Sequence, residues 1–210
     1  MIRAVVSDFG GVLTTPLIQT FVAYQDETGV DFARFGQAMA RIAERDGEHP
    51  LYELERGRIT EAQFYAQLEE ELGGEVSMTR FRDNYFKHLH PNEPMIDYMR
   101  DLCGRGLRLA ILTNNVREWE HHWRTLLPVD EVFEVVVDSG FVGMRKPERG
   151  IYELTLERLG GVAGEECVFV DDVDVNCDAA RELGMHAVRF HDAEQAICDV
   201  EEILREQGTG

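Results

Sequence analysis

The sequence is poor in positive charge, and lysine is almost absent from it. Its 210 residues include 40 acidic but only 21 basic side chains, so the formal net charge is −19. Lys87 and Lys146 are the only lysines. Nucleic-acid binding and attachment to anionic membranes both depend on basic surfaces, so this balance argues against both kinds of partner.

Long apolar runs and paired-cysteine motifs are missing as well. No run approaches the ~20 apolar residues that a membrane-spanning helix needs. Charges at Arg3 and Asp8 interrupt the N-terminus too early for the apolar region of a secretory leader. The four cysteines lack C-x-x-C spacing, which argues against common zinc and redox motifs. We therefore expect a cytoplasmic protein with reduced thiols. The oligomeric state is not readable from the sequence, and a monomer or a homodimer is expected.

Short apolar segments alternate with amphipathic ones along most of the chain. The apolar segments have the length of buried parallel strands and span residues 2–7, 107–113, 132–137, 167–170 and 185–190. Between and after the later ones, helical spacing of apolar residues covers residues 94–103, 116–127, 150–159, 176–183 and 193–206. This alternation predicts an α/β fold with a doubly wound, Rossmann-like parallel sheet.

The segment after the first predicted strand has a different character, because no strand pattern occurs in it. Amphipathic helices are predicted for residues 16–29, 32–43, 50–55 and 61–72, and Thr60 is a clear N-cap for the last. We predict a core domain of residues 1–16 and 91–210, with a small all-helical cap domain of residues 17–90 inserted. Such an insert would cover the strands' carboxyl ends, where doubly wound folds bind ligands.

Polar residues follow four of the predicted strands. In chain order they are Asp8, then Thr113 and Asn114, then Lys146, and finally Asp171 and Asp172. Each motif alone has an ordinary explanation as a turn, a helix cap or a solvated loop. In a parallel sheet, however, all of these loops emerge at one edge. The sequence therefore predicts a polar site there.

Phosphoryl transfer is the chemistry that this set of side chains suits. A carboxylate such as Asp8 can be the nucleophile and carry the phosphoryl group. Mg²⁺ would offset the repulsion between Asp8, Asp171 and Asp172 and would bridge them to a phosphate. The hydroxyl, amide and ammonium groups nearby would stabilise charge on the transferred oxygens.

The motifs resemble those of the haloacid dehalogenase (HAD) superfamily, which includes Mg²⁺-dependent phosphotransferases. They are VVSDFGGVL at residues 5–13, LAILTNN at 109–115, GMRKP at 143–147 and VFVDDVDVN at 168–176, followed by AARELGM at 179–185. The first and last are most similar to the branch that includes the phosphatase-type N-terminal domain of soluble epoxide hydrolase. The helical insert resembles that superfamily's type 1 cap.

This resemblance implies a catalytic role for Asp8, Thr113 and Lys146. Asp8 would be the nucleophile, and Lys146 would neutralise it together with the phosphate. The phosphoryl oxygens would be bound by Thr113, the Asn114 backbone and Lys146. The ligands of Mg²⁺ would be Asp8, the backbone carbonyl of Gly10, Asp172, and Asp171 either directly or through water. The expected substrate is a small phosphorylated metabolite such as a sugar phosphate.

Gly10 departs from the family pattern, because phosphatases of the family usually carry a second Asp there as the general acid and base. Such proton transfer typically contributes ~10²–10⁴ in rate. Three explanations stay open: a substrate with a good leaving group, a proton from a cap residue or water, or a catalytically weak phosphate-binding or regulatory protein.

A 2-haloacid dehalogenase of the same fold is the alternative enzyme. It would use Asp8 to attack carbon and would need no metal. The first motif of such dehalogenases usually has Tyr at the position of Gly10, and the enzymes lack a pair equivalent to Asp171 and Asp172. Both differences argue against this alternative.

Overall fold

A five-stranded sheet forms the centre of the protein, seen in a computed structural model that describes residues 1–16, 19, 22, 23, 25, 26, 29, 31–74 and 76–209. The strands are β1 (Ala4–Ser7), β2 (Arg108–Thr113), β3 (Val135–Asp138), β4 (Cys167–Asp171) and β5 (His186–Arg189). They lie in the order β3-β2-β1-β4-β5, with every pair parallel. The predicted doubly wound fold is confirmed. Its winding reverses at β1, which opens a crevice at the carboxyl end of that strand.

Helices cover both faces of the sheet and follow β1. In chain order they are α1 (Phe32–Asp46), α2 (Pro50–Glu55), α3 (Glu61–Glu71), α4 (Phe81–His88), α5 (Glu93–Gly104), α6 (Glu120–Trp123), α7 (Val129–Val132), α8 (Ser139–Val142), α9 (Arg149–Arg158), α10 (Asp174–Glu182) and α11 (Ala193–Glu206). Short 3₁₀ turns span Arg117–Trp119 and Gly164–Glu166. Within the described part of the chain, no helix is long and apolar enough to span a bilayer.

Successive strand residues fill two apolar clusters, one on each face of the sheet. Val5 and Val170 lie in the cluster that includes side chains of α5 and α11. Val6 and Phe169, their direct neighbours along the chain, lie in the cluster formed with α9 and α10. Because both faces of the sheet are buried, its strands are continuously apolar rather than alternating.

The helical segment formed by α1–α4 packs on the carboxyl edge of the sheet. Its apolar side chains join the cluster that contains Val5. The chain enters and leaves this segment side by side, since the Thr15 N–H donates to the His90 carbonyl at 2.8 Å. An ion pair of 2.6 Å between Arg56 and Glu148 links α2 to the loop before α9. The domain boundaries at residues 16/17 and 90/91 stay a prediction.

Several predicted elements differ in extent from those observed. The strand predicted from residue 132 begins at Val135, because Val129–Val132 forms a helical turn that apolar β-branched residues do not distinguish from a strand. The helix predicted over 116–127 is reduced to a 3₁₀ turn and α6. Helix α4 was not predicted, since no side chain caps its start at Arg80. Half of the residues of the helix predicted over 16–29 lie outside the described residues.

Candidate active site

Asp8 comes directly after β1, at the crevice where the winding of the sheet reverses. One of its oxygens, Oδ1, lies 2.7 Å from the Lys146 ammonium and also accepts the Phe9 N–H at 2.7 Å. The other oxygen, Oδ2, accepts no hydrogen bond from any residue that the structure describes. The Asp8 carboxylate is therefore oriented through one oxygen, which leaves the second available to a ligand.

Lys146 is buried and bridges two carboxylates. Its Nζ lies 2.7 Å from Asp8 Oδ1 and 2.6 Å from Asp171 Oδ2, and the residue is 1% exposed. Asn114 holds the lysine's backbone at both ends, because its Nδ2 donates to the Lys146 carbonyl at 3.0 Å and its Oδ1 accepts the Lys146 N–H at 2.7 Å. The Asn114 side chain is therefore occupied by the Lys146 backbone, which leaves the Asn114 backbone N–H, the group expected from the sequence, as the one that could bind a phosphate.

Asp171, the last residue of β4, is fully buried, and its oxygens are already occupied. Asn176 Nδ2 donates to both of them at 3.0 and 3.1 Å, and the Val173 N–H donates to Oδ1 at 2.8 Å. Together with Lys146, these donors use the positions that a metal ion would need. Asp171 thus orients the ammonium. Asn176 belongs to the last sequence motif but has no role among the sequence-based expectations, and its place in the first turns of α10 is the signal that could have identified it.

Asp172 is partly buried and completes a cluster of carboxylates. One oxygen each from Asp8, Asp171 and Asp172 lies within 4.8 Å of the others. Gly11 permits this approach, because its φ is +86° and a Cβ there would meet Asp172 Oδ2 at 2.7 Å. Oxygen donors of this kind suit Mg²⁺, and the two with unused oxygens are Asp8 and Asp172.

The electrostatics of the cluster show an excess of negative charge. Burial raises the pKa of Asp8 to about 7, with a further increase from Asp171 and an opposing effect of Lys146. Burial and Asp171 also raise the pKa of Asp172. Burial alone would lower the pKa of Lys146, but Asp171 and Asp8 raise it, so the ammonium stays charged. One ammonium does not neutralise three carboxylates, and a divalent cation would relieve the remaining repulsion.

A cavity of about 240 Å³ lies between the helical segment and the strand ends. The polar part of its lining comprises Thr113, Asn114 and Asn115 at the end of β2, Glu55, and the backbone of Gly10. The rest is mostly apolar or aromatic and includes Phe9, Phe32, Phe35, Met39, Leu51, Leu54, Phe64, Tyr65, Leu68, Met78, Phe81, Tyr85, Val116 and Trp119. We call this space the apolar cavity. All the residues predicted for the site therefore meet at one sheet edge, beside or within its lining.

Glu55 is the only charged side chain in the lining of the apolar cavity, as far as the described residues extend. Its Oε2 accepts the Arg145 Nε–H at 2.6 Å, and the Arg145 guanidinium stacks 3.9 Å from the centre of the Tyr52 ring. Burial raises the pKa of Glu55, against the opposing effects of Arg145 and Lys146. Glu55 cannot be recognised from the sequence, because its partner Arg145 lies 90 residues away along the chain.

Comparisons with known proteins agree with this fold. A family model described as haloacid dehalogenase-like hydrolase matches residues 2–184. The chain is 30% identical over 210 residues to acyl-CoA dehydrogenase family member 10 of Mus musculus, and 27% identical over 214 residues to the sesquiterpene phosphatase astK of Aspergillus oryzae. It is 29% identical over 217 residues to bifunctional epoxide hydrolase 2 of Sus scrofa. Each match covers 96% of the chain, but it covers 19%, 96% and 39% of these relatives, respectively.

Two solved structures extend the comparison. A predicted HAD-like family hydrolase from Porphyromonas gingivalis superposes with a TM-score of 0.73 and 25% identity, over 99% of this chain and 100% of that one. A HAD family enzyme from Bacteroides thetaiotaomicron, solved with magnesium and inorganic phosphate, has a TM-score of 0.65 and 24% identity, over 91% and 95% of the two chains. At this identity, the similarity to the Bacteroides thetaiotaomicron enzyme shows a shared fold.

Proposed function

The chain belongs to the haloacid dehalogenase-like hydrolase family, and we propose that it is a Mg²⁺-dependent phosphatase that acts on an apolar organophosphate through an aspartyl phosphate on Asp8. The observation that carries this proposal is the buried Lys146 ammonium, held between Asp8 and Asp171 beside a third carboxylate. The match to a sesquiterpene phosphatase over 96% of both chains supports a phosphatase, as does the related fold that holds magnesium and phosphate.

In the proposed reaction, Asp8 attacks phosphorus and forms an acyl phosphate while the P–O bond to the leaving group breaks. Lys146 and the Phe9 N–H fix Asp8 Oδ1, so its Oδ2 is the attacking oxygen or a metal ligand. The Thr113 hydroxyl and the Asn114 backbone N–H would bind the phosphoryl oxygens, whose charge grows in the transition state. Water then attacks the same phosphorus atom, which releases inorganic phosphate and restores Asp8.

The metal would be held by Asp8, Asp172 and the Gly10 carbonyl. Asp171 would support it through Lys146 rather than bind it, because the Asp171 oxygens already accept hydrogen bonds from Asn176 and Val173. When bound, Mg²⁺ would supply charge neutralisation between the carboxylates and the phosphate.

Asp172→Asn is expected to raise the Mg²⁺ concentration for half-maximal hydrolysis of p-nitrophenyl phosphate by at least ~10-fold, because one anionic ligand is lost. Asp174→Asn is the matched control. Asp174 lies two residues further on, its side chain is 78% exposed, and it pairs with Arg189. The measurement is the rate of nitrophenolate release against Mg²⁺, starting from EDTA-treated protein. Equal Mg²⁺ dependence of both variants and the wild type would remove Asp172 from the metal site.

Assays of chloride and phosphate release distinguish the proposed phosphatase from the alternative dehalogenase. Release of chloride from 2-chloropropionate in EDTA, with no metal-dependent phosphate release, would select the dehalogenase and overturn the proposal.

The lining of the apolar cavity supports an apolar organic group on the phosphate. A sugar placed there would bury several hydroxyl groups, while few lining residues other than Thr113, Asn114, Asn115 and Glu55 offer polar partners. Each buried hydroxyl without a partner costs about 1–3 kcal/mol. An alkyl or isoprenoid chain gains about 0.8 kcal/mol for each buried methylene. We therefore propose an apolar phosphate ester as the substrate, in place of the sugar phosphate expected from the sequence.

For a series of linear alkyl phosphates, kcat/KM is expected to rise with chain length by up to about 4-fold for each methylene until the cavity is filled. Glucose 6-phosphate is the matched comparison for hexyl phosphate, since both carry six carbons. We expect hexyl phosphate to be preferred by at least ~10²-fold in kcat/KM, measured as phosphate release. Preference for the sugar phosphate would show that the cavity does not hold the organic group.

A further inference from the structure

A phosphate ester with an alkyl leaving group needs a proton donor, and this chain lacks the one its family usually provides. Departure of an alkoxide into the apolar cavity would place an unpaired charge among aromatic and aliphatic side chains. Such a charge is very unfavourable there. Gly10, which lines the same cavity, has no side chain to supply the proton. The proton must therefore come from another group near the leaving oxygen.

The position and contacts of Glu55 suit it to donate a proton to the leaving oxygen. It reaches the cavity from the C-terminal end of α2, within the same lining as Gly10 and Thr113. Arg145 fixes its Oε2 at 2.6 Å, and the two side chains are only 14% and 15% exposed. Its Oε1 accepts no hydrogen bond from the described part of the chain, so this oxygen can carry a proton towards a ligand. Arg145 directly precedes Lys146, which couples the position of Glu55 to the phosphate site.

We propose that Glu55 is the general acid and base of this phosphatase, in place of the carboxylate that Gly10 lacks. This inference rests on the proposed function. As Asp8 attacks phosphorus, the bond to the leaving oxygen breaks and that oxygen takes the proton from Glu55, so an alcohol departs. The Glu55 carboxylate then accepts a proton from the attacking water. The P–O bond to Asp8 breaks, inorganic phosphate leaves, and Glu55 is protonated again.

The chemistry of the surroundings agrees with this assignment. Burial raises the pKa of Glu55, which favours the protonated acid that the first step needs. A dianionic phosphate beside Lys146 would offset the effect of that cation and raise the pKa further. Tyr85 also lines the cavity, but burial and the Asp8 charge raise the pKa of its phenol above the ordinary value, which makes it a weaker proton donor.

The test compares a leaving group that needs protonation with one that does not, in a Glu55 variant and in a control variant. Nitrophenolate departs without protonation, whereas an alkoxide does not, so the ratio of kcat/KM for p-nitrophenyl phosphate and hexyl phosphate reports the acid. Glu55→Gln is nearly isosteric and keeps an oxygen for Arg145. Glu53→Gln is its control, since Glu53 lies on the same helix and pairs with Arg56 and Arg58.

Glu55→Gln is expected to lower kcat/KM for hexyl phosphate by ~10²–10⁴-fold and that for p-nitrophenyl phosphate by less than ~10-fold. Because the base for water is lost as well, p-nitrophenyl phosphate should give a burst of one nitrophenolate per enzyme, which itself demonstrates a folded site. Equal losses on both substrates, no loss on either, or the same selective loss in Glu53→Gln or Tyr85→Phe would overturn the role of Glu55. Absence of Mg²⁺-dependent nitrophenolate release from the wild type would instead overturn the proposed function.

Discussion

Lys146→Met is expected to lower the free energy of unfolding by about 3–5 kcal/mol in EDTA and to lower kcat by at least ~10²–10³-fold. The loss of stability arises because the ammonium contacts two carboxylates, Asp8 and Asp171, in a site where the lysine itself is 1% exposed. Without the Lys146 ammonium, the Asp8 and Asp171 carboxylates would stay buried but would lose the cation that pairs with them. The loss of rate follows because the same ammonium would neutralise the phosphoryl oxygens in the transition state.

Denaturant unfolding with and without Mg²⁺ measures the first effect. Mg²⁺ should stabilise Lys146→Met more than the wild type, since it would partly replace the missing ammonium in neutralising the carboxylates. Lys87→Met is the matched control, because it removes the other lysine, an exposed residue of α4. If Lys146→Met unfolded at the same denaturant concentration as Lys87→Met, the buried bridge would not exist in solution.

Asp8→Asn is expected to reduce turnover by at least ~10⁴-fold, because an amide does not replace the carboxylate nucleophile. In EDTA, the same change should raise the free energy of unfolding at pH 8 by an amount on the order of 3 kcal/mol. Burial raises the pKa of Asp8 to about 7, so at pH 8 the protein folds with Asp8 ionised, and burial of this charge costs stability. Asparagine resembles the protonated form and avoids this penalty.

The sign of the pH dependence follows from the direction of this shift. The folded wild type binds the proton of Asp8 more tightly than the unfolded chain, so its stability falls as pH rises from about 4 towards 7 and then levels. The gain in stability of Asp8→Asn should grow over the same range. Thermal or denaturant unfolding at pH 5 and pH 8 measures it, with Asp174→Asn as the control. A gain that is equal at both pH values would contradict the raised pKa of Asp8.

The strand ends of this site could be predicted from sequence because their signals are local. An apolar run followed directly by a polar residue identifies Asp8, Thr113 and Asp171, and parallel pairing then brings them to one edge. The alternation of apolar and amphipathic segments likewise predicts the doubly wound sheet. Neither inference requires knowledge of a long-range side-chain contact.

The features that sequence did not reveal depend on such contacts. Asn114 is used by the Lys146 backbone, 32 residues later in the chain. The Glu55 side chain is oriented by its hydrogen bond with Arg145. Nothing near Glu55 in the sequence distinguishes it from the other acidic residues of α2 and α3. The apolar cavity arises where side chains of α1–α4 face the strand ends, and its mostly apolar lining is the basis for proposing an apolar group in place of the expected sugar.

Asp8 is the residue proposed to carry the phosphoryl group during turnover. The most direct test is acid quench of the enzyme during turnover of p-nitrophenyl phosphate with Mg²⁺, followed by proteolysis and mass spectrometry of the peptide that contains residues 4–13. Glu55→Gln should accumulate the intermediate, because the water that attacks it has lost its base. We expect a phosphoryl group on Asp8 in this peptide and none in the corresponding peptide of Asp8→Asn. A phosphoryl group on any other residue, or none during a measured burst, would contradict this role of Asp8.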